Sequence, residues 1–573
     1  MRMTTFAVAL AGTASVALAM PANAASAAPL PATNDSAVAT YLKSTPAGLS
    51  ASAGDAYQLI RRTTSKDGTT HARYARTHDG LPVVGGELVV HAKDGKVVDQ
   101  STSQTAPIRV GTAAHVPAGT ARSASITGAR NFNQTGATQA KLVVDATSST
   151  PRLAWMTLVA GVQLDGLTPS RRAVLVDAST GKVIRSAETV ATLLPASTSK
   201  AAMARSGAKA PKLTAAGRSR AQLPVISWTA DAPAKSAAVA PRAAAGVKAV
   251  GHTTFYGDVT LTVTKTSTGF SLVDAARGKG STCNSNYTGN TDFGTGDTCK
   301  LIVAKKAVFG NGKATDPNTT AADAHYGGAV TWDYYAKTFG RKGIFANGKG
   351  VGSHIRFGFK GWKNAAWNGT NMVYGDGGKY GSMAALDVSG HEMTHGVSEA
   401  LAKLGYEGDV GGINESTSDV FGTMVEYTAK NPKDKFDFLI GEKLNYNGDG
   451  KPLRYMDDPS KDGMSHSCWS KATADDDPHY TSGVGNHAFY LMSNGTGKSA
   501  YGTTKSCNGT TFKGIGGIKV SKIWYNTIRD YGTENMTYAQ LKAGMIKSAN
   551  AEYGKNSTES KAITAGWKAV NVA

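Results

Sequence analysis

The sequence predicts an α+β protein in which strands dominate the first half of the chain and helices the second. Apolar and polar residues alternate through 71–98, 139–186 and 251–278, which is the period of half-buried β-strands. Apolar residues recur at helical spacing through 520–532 and 537–554. Because 573 residues exceed what one hydrophobic core accommodates, we expect two or more domains.

The amino terminus is typical of a secretory signal peptide. Arg2 supplies the basic start, Phe6 to Met20 form a short apolar run, and Ala22-Asn23-Ala24 give a small-residue cleavage site. The run is too short and too rich in alanine for a membrane anchor. We therefore expect residues 1–24 to be a signal and the protein to be soluble, secreted and extracellular.

A region at 25–194 precedes a sharp change of composition. Its two parts, about 40–105 and about 120–190, show strand patterns, with turns predicted at Asp79-Gly80 and Asp94-Gly95. The next segment, 195–245, is rich in Ala, Ser, Pro, Lys and Arg. Such a segment buries too little apolar surface to offset its ordering entropy. We expect a linker there that is open to proteolysis.

Two further regions follow the linker. Strand patterns predominate in 246–395, although a helix is predicted through 319–335 with Thr320 as its N-cap. Residues 396–573 are mainly helical in pattern. The expected architecture is a β-rich lobe followed by a helical lobe.

The net charge of +20 raises nucleic acid or an anionic surface as a partner. Residues 1–250 hold 27 Lys and Arg against 12 Asp and Glu, or +15, which leaves 35 against 30, or +5, for residues 251–573. The excess thus lies mainly in the part before the two lobes. A nucleic-acid-binding function is disfavoured.

Four cysteines, Cys283, Cys299, Cys468 and Cys507, all follow residue 250. An even number in an exported chain favours two disulfide bonds, although four cysteines allow three pairings. Pairing of nearest neighbours is the simplest of these. A cysteine zinc site is the alternative, but the chain has no C-x-x-C pair to support it.

The segment with the clearest chemistry is His391-Glu392-Met393-Thr394-His395. Residues four apart lie on one face of a helix, so His391 and His395 can present two imidazole nitrogens to one cation. Glu392 follows the first ligand directly and is free to act as a general base. The pattern predicts half of a catalytic zinc site.

A catalytic zinc of this kind takes a third protein ligand and keeps one position open for water. Glu415 is the predicted third ligand, and Asp419, one turn later, is placed to accept a hydrogen bond from His391. Glu399 is a rival ligand, but it would put all three ligands on one helix. The metzincin pattern is excluded, because residues 398 and 401 are Ser and Leu.

HEMTH, followed after nineteen residues by the glutamate of GGINESTSDVFG, resembles the thermolysin family of secreted zinc endopeptidases. Residues 71–98 and 139–186 resemble the pro-region of such proteases. The resemblance implies a preproenzyme with a two-lobed thermolysin-like catalytic domain, one catalytic zinc and structural calcium. It also implies that the pro-region chaperones folding and inhibits the enzyme until removed. We expect polypeptide substrates, a monomer, and no membrane anchor.

The same resemblance implies further site residues. Tyr406 and His479 match the family's donors to the oxyanion, and Asp477 is placed to orient His479. Asn364 and Ala365 match the edge segment that binds substrate backbone, with Trp367 beside them, and Arg454 matches the arginine that binds a substrate carbonyl. The implied preference is for a bulky apolar residue on the amine side of the cut bond, the P1′ position.

Calcium ligands are implied by position at Asp387 and Glu426. Asp437, the carbonyl of Leu439 and Glu442 follow in a second acidic stretch, as oxygen ligands that suit a hard cation. The insertion NPKDK at 431–435 interrupts the spacing to Asp437. A solvated acidic surface is the alternative for this stretch.

A secreted binding protein with a structural zinc is the alternative to a peptidase. A structural zinc site is closed by four protein ligands and has no use for a general base. Glu392 and the open fourth position therefore favour the enzyme.

Overall fold

The computed structural model describes residues 32–44, 47–129, 132–163, 168–195, 246–288, 299–378 and 381–572. The predicted signal at 1–24 and residues 196–245 of the predicted linker lie outside the described residues. Two strand-bearing bodies result, one formed before residue 195 and the other after residue 246.

The described residues contain nine α-helices and twenty-six strands. The helices are α1 Ala32–Lys43, α2 Ala118–Gly128, α3 Pro317–Phe339, α4 Leu386–Ala402, α5 Gly408–Ala429, α6 Pro478–Asn494, α7 Gly517–Tyr531, α8 Tyr538–Tyr553 and α9 Thr558–Ala569. The strands before the linker are β1 Asp55–Thr64, β2 Thr70–His78, β3 Leu81–Val84, β4 Leu88–Lys93, β5 Lys96–Thr102, β6 Phe132–Ala137, β7 Lys141–Asp145, β8 Arg152–Gln163, β9 Pro169–Asp177, β10 Val183–Glu188 and β11 Ala191–Thr192. Those after it are β12 Val247–His252, β13 Asp258–Thr266, β14 Gly269–Ser271, β15 Val273–Asp274, β16 Gly280–Asn284, β17 Lys300–Leu301, β18 Val303–Ala304, β19 Val308–Phe309, β20 Gly352–Ile355, β21 Ala365–Trp367, β22 Asn371–Tyr374, β23 Leu439–Ile440, β24 Arg454–Tyr455, β25 Gly497–Ser499 and β26 Gly502–Thr504.

The amino-terminal body is built on one sheet of strands β1 to β10. Its order is β10-β9-β8-β7-β3-β2-β4-β5, with β1 paired to β2 and β6 to β8. The predicted turns at Asp79-Gly80 and Asp94-Gly95 are confirmed, and all four residues have positive φ angles, as a two-residue hairpin turn requires. This body is the predicted α+β region.

The β-rich lobe consists of a seven-stranded and a five-stranded sheet that pack around α3. In the seven-stranded sheet, β11 from the amino-terminal body pairs antiparallel with β21. The predicted N-cap of α3 is wrong, because the helix begins at Pro317 and Asp316 accepts a hydrogen bond from the backbone N–H of Asn318. An Asp-Pro start is a stronger helix signal than the later threonine.

The helical lobe packs α5 against α4 and α6, and α7, α8 and α9 complete it. Two glycines bring α4 and α5 together. A Cβ on Gly390 would lie 2.9 Å from the Cα of Gly422, and a Cβ on Gly422 would lie 2.5 Å from the carbonyl oxygen of Asp387. Larger residues at either position would separate the two helices that carry the predicted zinc ligands.

Two disulfide bonds join the nearest-neighbour cysteines, Cys283 to Cys299 and Cys468 to Cys507. Among the described residues, no helix combines the length and apolar character needed to cross a bilayer.

Candidate metal centre and substrate cleft

The three predicted zinc ligands meet at the contact between α4 and α5. His391 Nε2 lies 3.4 Å from one oxygen of Glu415, and His395 Nε2 lies 3.4 Å from the other. The two imidazole Nε2 atoms are 2.9 Å apart. Ligand atoms bound at 2.0–2.1 Å around a tetrahedral zinc are separated by about 3.3–3.4 Å. The three side chains therefore fit a single zinc ion, with only the two imidazoles slightly too close.

The outer ring nitrogens of both histidines have fixed partners. His391 Nδ1 lies 2.8 Å from Asp419, as predicted, and His395 Nδ1 lies 3.0 Å from both Asn414 and Ser418. These contacts leave the Nε2 atoms facing Glu415. Asn414 and Ser418 were missed in the sequence, although both flank Glu415 in the NESTS run.

Electrostatics around His395 favours a neutral imidazole. Burial lowers the pKa of His395 to about 3, so that ring is uncharged near neutral pH. Burial alone would raise the pKa of Asp419, but the Arg454 guanidinium and His391 outweigh it and hold that pKa below its ordinary value. A histidine binds a metal through its neutral ring, as His395 offers, and an ionised carboxylate such as Asp419 orients a ligating ring through its other nitrogen.

Glu392 is fully buried next to the three ligands, and neither of its carboxylate oxygens has a hydrogen-bond partner. One oxygen of Glu415 is likewise unpartnered. Burial, followed by the Glu415 carboxylate, raises the pKa of Glu392 well above its ordinary value. Buried carboxylates without donors are costly unless a cation or a proton neutralises them. The donor set therefore fits a divalent metal with an adjacent base.

The rival ligand Glu399 takes another role. Its carboxylate accepts a hydrogen bond of 2.8 Å from the indole N–H of Trp367 and is not among the three ligands that converge. Trp367 itself is buried at the end of β21. It thus lies beside the edge segment predicted for substrate binding.

Tyr406 and His479 both adjoin the predicted ligand Glu415, from which His479 Nε2 lies 3.9 Å. The Tyr406 hydroxyl donates to Glu415 and lies 3.2 Å from His479 Nε2. Asp477, the N-cap of α6, lies 2.5 Å from His479 Nδ1. Burial would lower the pKa of His479, but the carboxylates of Glu415 and Asp477 raise it to about 9. The histidine is therefore held with Nε2–H toward the cleft.

The end of the amino-terminal body runs through this cleft. The carbonyl oxygen of Thr192 lies 2.5 Å from His479 Nε2 and 3.4 Å from the Tyr406 hydroxyl. Leu193 donates its N–H to the carbonyl of Ala365 at 3.0 Å. The chain is extended there and continues the edge of the seven-stranded sheet. A peptide therefore occupies the position predicted for substrate.

The remaining predicted substrate contacts are made by Asn364 and Arg454. The amide of Asn364 accepts from the N–H of Leu194 at 3.1 Å and donates to its carbonyl at 3.0 Å. Arg454 donates to the carbonyl of Leu193 at 2.8 Å. Asn364, Ala365 and Arg454, which the sequence predicted to bind substrate, thus bind the backbone of Leu193 and Leu194.

A second cluster of acids lies where α5 ends. Oxygens of Glu426, Asp434 and Glu442 lie within 4.8 Å of one another. Both oxygens of Glu426 and one of Glu442 lack hydrogen-bond partners. Burial and the neighbouring Glu442 carboxylate raise the pKa of Glu426 to about 11. These donors fit a hard cation.

The cluster differs in part from the predicted calcium set. Asp434, inside the NPKDK insertion, was missed. Asp387 and Asp437 are not in the converging group. Asp387 accepts a hydrogen bond of 2.5 Å from the N–H of Gly441, and Asp437 accepts one of 2.8 Å from Leu439. The insertion brings the chain back toward α5, which spacing alone did not reveal.

A β-rich and a helical lobe that share an HExxH centre with a glutamate from the next helix define a zincin-type metallopeptidase fold. The model described as thermolysin metallopeptidase, catalytic domain, matches residues 248–399, and the one described as its alpha-helical domain matches 402–572. A fungalysin/thermolysin propeptide motif matches residues 55–101. The chain belongs to the thermolysin metallopeptidase family. The region before the linker is accordingly a pro-region.

Three relatives illustrate the similarity. A transglutaminase-activating metalloprotease of Streptomyces mobaraensis is 35% identical over 521 residues, which are 88% of this chain and 60% of that protein. Bacillolysin of Bacillus cereus is 38% identical over 44% of each chain. Thermolysin of Alicyclobacillus acidocaldarius is 29% identical over 91% of this chain and 87% of its own length. The chain thus spans less than two thirds of the first two relatives.

Proposed function

We propose that the protein is a secreted, zinc-dependent endopeptidase that is made as an inactive precursor. The observation that carries the proposal is the unpartnered, fully buried carboxylate of Glu392 beside a converging His391, His395 and Glu415. A site that only held zinc for structure would have no use for this carboxylate.

His391, His395 and Glu415 would hold the zinc, which supplies a water of lowered pKa and polarises a peptide carbonyl. Glu392 takes a proton from the attacking water and passes it to the nitrogen of the leaving amine. Its exclusion from bulk water keeps that proton within the site.

The developing negative charge on the carbonyl oxygen requires hydrogen-bond donors. Tyr406 and His479 supply them, since both already approach the carbonyl oxygen of Thr192. Asp477 holds the imidazole of His479 in the donating orientation. We assign these three side chains to stabilisation of the transition state.

Substrates would bind as an added strand. Asn364, Ala365 and Arg454 hold backbone groups on the amine side of the cut bond, as they hold Leu193 and Leu194. A bulky apolar side chain at P1′ is preferred, because the side chain of Leu193 is fully buried at that place.

Calcium is proposed to bind at Glu426, Asp434 and Glu442, with Asp387, Asp437 and the Leu439 carbonyl nearby. Two buried carboxylates and a half-buried one, without enough donors, repel one another, and a hard cation removes that repulsion. The role of this ion is to stabilise the fold.

The pro-region is proposed to act as chaperone and inhibitor. Arg61 of β1 donates to the carbonyls of Ala400, Leu401 and Arg529 at the carboxyl ends of α4 and α7. Those carbonyls carry the negative ends of the helix dipoles. The same body places its last strand across the metal centre, so that substrates are excluded.

The test is hydrolysis of casein, and of a blocked peptide with an internal Leu, by processed enzyme and by a Glu392→Gln variant freed of its pro-region by added protease, each with its zinc content measured. We expect the processed enzyme to cleave both substrates and to be stopped by chelation. The variant should keep about one zinc and lose most activity. A zinc-loaded protein that is inert on both substrates would favour a secreted binding protein instead.

A further inference from the structure

The peptide bond between Thr192 and Leu193 lies in the position of a bond about to be cut. Two donors, His479 and Tyr406, approach the carbonyl oxygen of Thr192 and no other carbonyl of the segment. In the mechanism proposed above, these donors serve the carbonyl of the cleaved bond. The register in the cleft therefore selects one bond.

The residues after that bond are held as the leaving side of a substrate. Leu193 uses both backbone groups, its N–H to Ala365 and its carbonyl to Arg454. Leu194 uses both of its own with the side chain of Asn364. All four backbone groups of these two residues are paired, which fixes the register of the segment in the cleft. A shift by one residue would turn each side chain to the opposite face of the strand.

The side chains agree with this register. Leu193 is fully buried in the main core of the catalytic lobes, and Leu194 is 6% exposed. A bulky apolar residue thus occupies the position on the amine side of the bond. The segment has the form of a preferred substrate.

The pro-region fixes the same segment from its other end. The carboxylate of Glu188, at the end of β10, accepts hydrogen bonds from the backbone N–H groups of Arg171, Thr189 and Val190. Arg171 also donates to the hydroxyl of Thr189. The pro-region sheet therefore delivers Ala191 and Thr192 to the cleft in a set position.

We propose that Thr192–Leu193 is the first bond that the precursor cuts, in its own active site. This rests on the function proposed above. Water adds its oxygen to the carbonyl carbon of Thr192, and the C–N bond breaks. Glu392 transfers the proton of that water to the nitrogen of Leu193, which leaves a carboxylate on Thr192 and an amine on Leu193. Only water is consumed.

This position separates the first cut from the start of the catalytic region. The new amino terminus at Leu193 still carries the basic segment 195–245, where nine basic residues stand against one acid between 200 and 248. Removal of that segment requires a second cut. Maturation therefore proceeds through an intermediate that begins with Leu193-Leu194-Pro195.

The test follows the purified precursor over time by intact mass and by labelling of new amino termini. We expect the first new terminus to be Leu193, with a rate constant that does not change on tenfold dilution. A first terminus elsewhere would overturn the assignment, as would a first-order rate constant that falls in proportion to the precursor concentration. If casein is still cleaved in that case, the proposed function stands and only this inference fails.

Variants give an independent reading. Leu193→Asp places a charge in a closed apolar site and should slow the first cut at least tenfold, whereas Leu193→Met should leave it unchanged. Val98→Asp, at a pro-region side chain that is 57% exposed, is the matched control.

In the uncut Glu392→Gln precursor, hydrogen exchange of the Leu193 and Leu194 amides should be slow and should become fast with Leu193→Asp. Rapid exchange without that substitution would refute the bound register.

Discussion

Arg454 and Asp419 form a buried, two-point ion pair, with Nε 2.8 Å from one carboxylate oxygen and Nη2 2.7 Å from the other. The same carboxylate orients His391 and accepts a hydrogen bond from Asn486. Arg454 also binds the carbonyl of Leu193. One guanidinium thus connects the orientation of a metal ligand with the binding of a peptide in the cleft.

Substitution of Asp419 by Asn should weaken zinc binding by about 10–100-fold, because partners of ligating histidines have effects of that size. The shape is kept, but the charge that stabilises the donating His391 ring is lost. Zinc occupancy during titration with a competing chelator measures the effect. Asp449→Asn, at an exposed loop residue, is the control. Equal zinc retention in both variants would contradict this role for Asp419.

The zinc ligands could be predicted because helical spacing fixes them locally. His391 and His395 share a helix face, and Glu415 and Asp419 share another. Asn414 and Ser418, the partners of His395, could not be predicted, because their position depends on the close approach of α4 and α5 at Gly390 and Gly422. Local pattern gives the two helices but not their crossing.

Long-range pairing set the other limits of the sequence prediction. The contact of β11 with β21 joins residues far apart in the chain, so no local period shows that Thr192 enters the cleft. Asp434 lies in an insertion whose return path the sequence does not specify. Thr320 was predicted as an N-cap because the helical pattern was clear only after Asp316 and Pro317.

Docking of the pro-region should weaken as the pH falls below about 6.5. His71 and His91 are buried in the interface, 2.7 Å apart through their Nδ1 atoms, and both contact the ring of Tyr531 on α7. Burial lowers the pKa of His71, and it lowers that of His91 well below its ordinary value. After the pro-region dissociates, the two histidines are no longer buried and bind protons at a higher pH than in the docked state. Below that pH, each histidine makes the free energy of docking less favourable by up to about 1.4 kcal/mol per pH unit.

The neighbouring charges act in both directions on this pair. The groups that face it are Asp67, Asp99 and Asp530, which raise its pKa values, and Arg73, Arg529 and Lys547, which lower them. A Glu392→Gln precursor that is nicked within 196–245 allows the dissociation constant to be measured from pH 7.5 to 5. A His91→Gln variant should flatten the profile, and His252→Gln, at a partly exposed histidine of the β-rich lobe, should not. A flat profile without substitutions would exclude the effect.

Arg61→Ala should loosen the pro-region by about 10–100-fold, because three helix-end carbonyls lose a charged donor and such hydrogen bonds contribute about 1.5–3 kcal/mol. The dissociation constant of the same nicked precursor measures it. The control is the neighbouring Arg62→Ala, since Arg62 pairs with Asp35 inside the pro-region. If both variants released the pro-region equally, the helix-end contacts of Arg61 would not explain docking.

Calcium should stabilise the processed protein through the cluster of Glu426, Asp434 and Glu442. A hundredfold excess over the dissociation constant adds about 2.7 kcal/mol to the free energy of unfolding, which raises Tm by about 5–10 °C for lobes of this size. Glu426→Gln should lose most of this increase, since both oxygens of that carboxylate lack another partner. Glu552→Gln, which removes an ion pair with Lys522 on the surface, should keep the increase in Tm.

Thermal unfolding with calcium, with magnesium and after chelation measures these effects. Magnesium should raise Tm less than calcium, because it demands near-ideal octahedral geometry. An equal response of both variants to calcium would place the stabilising ion elsewhere.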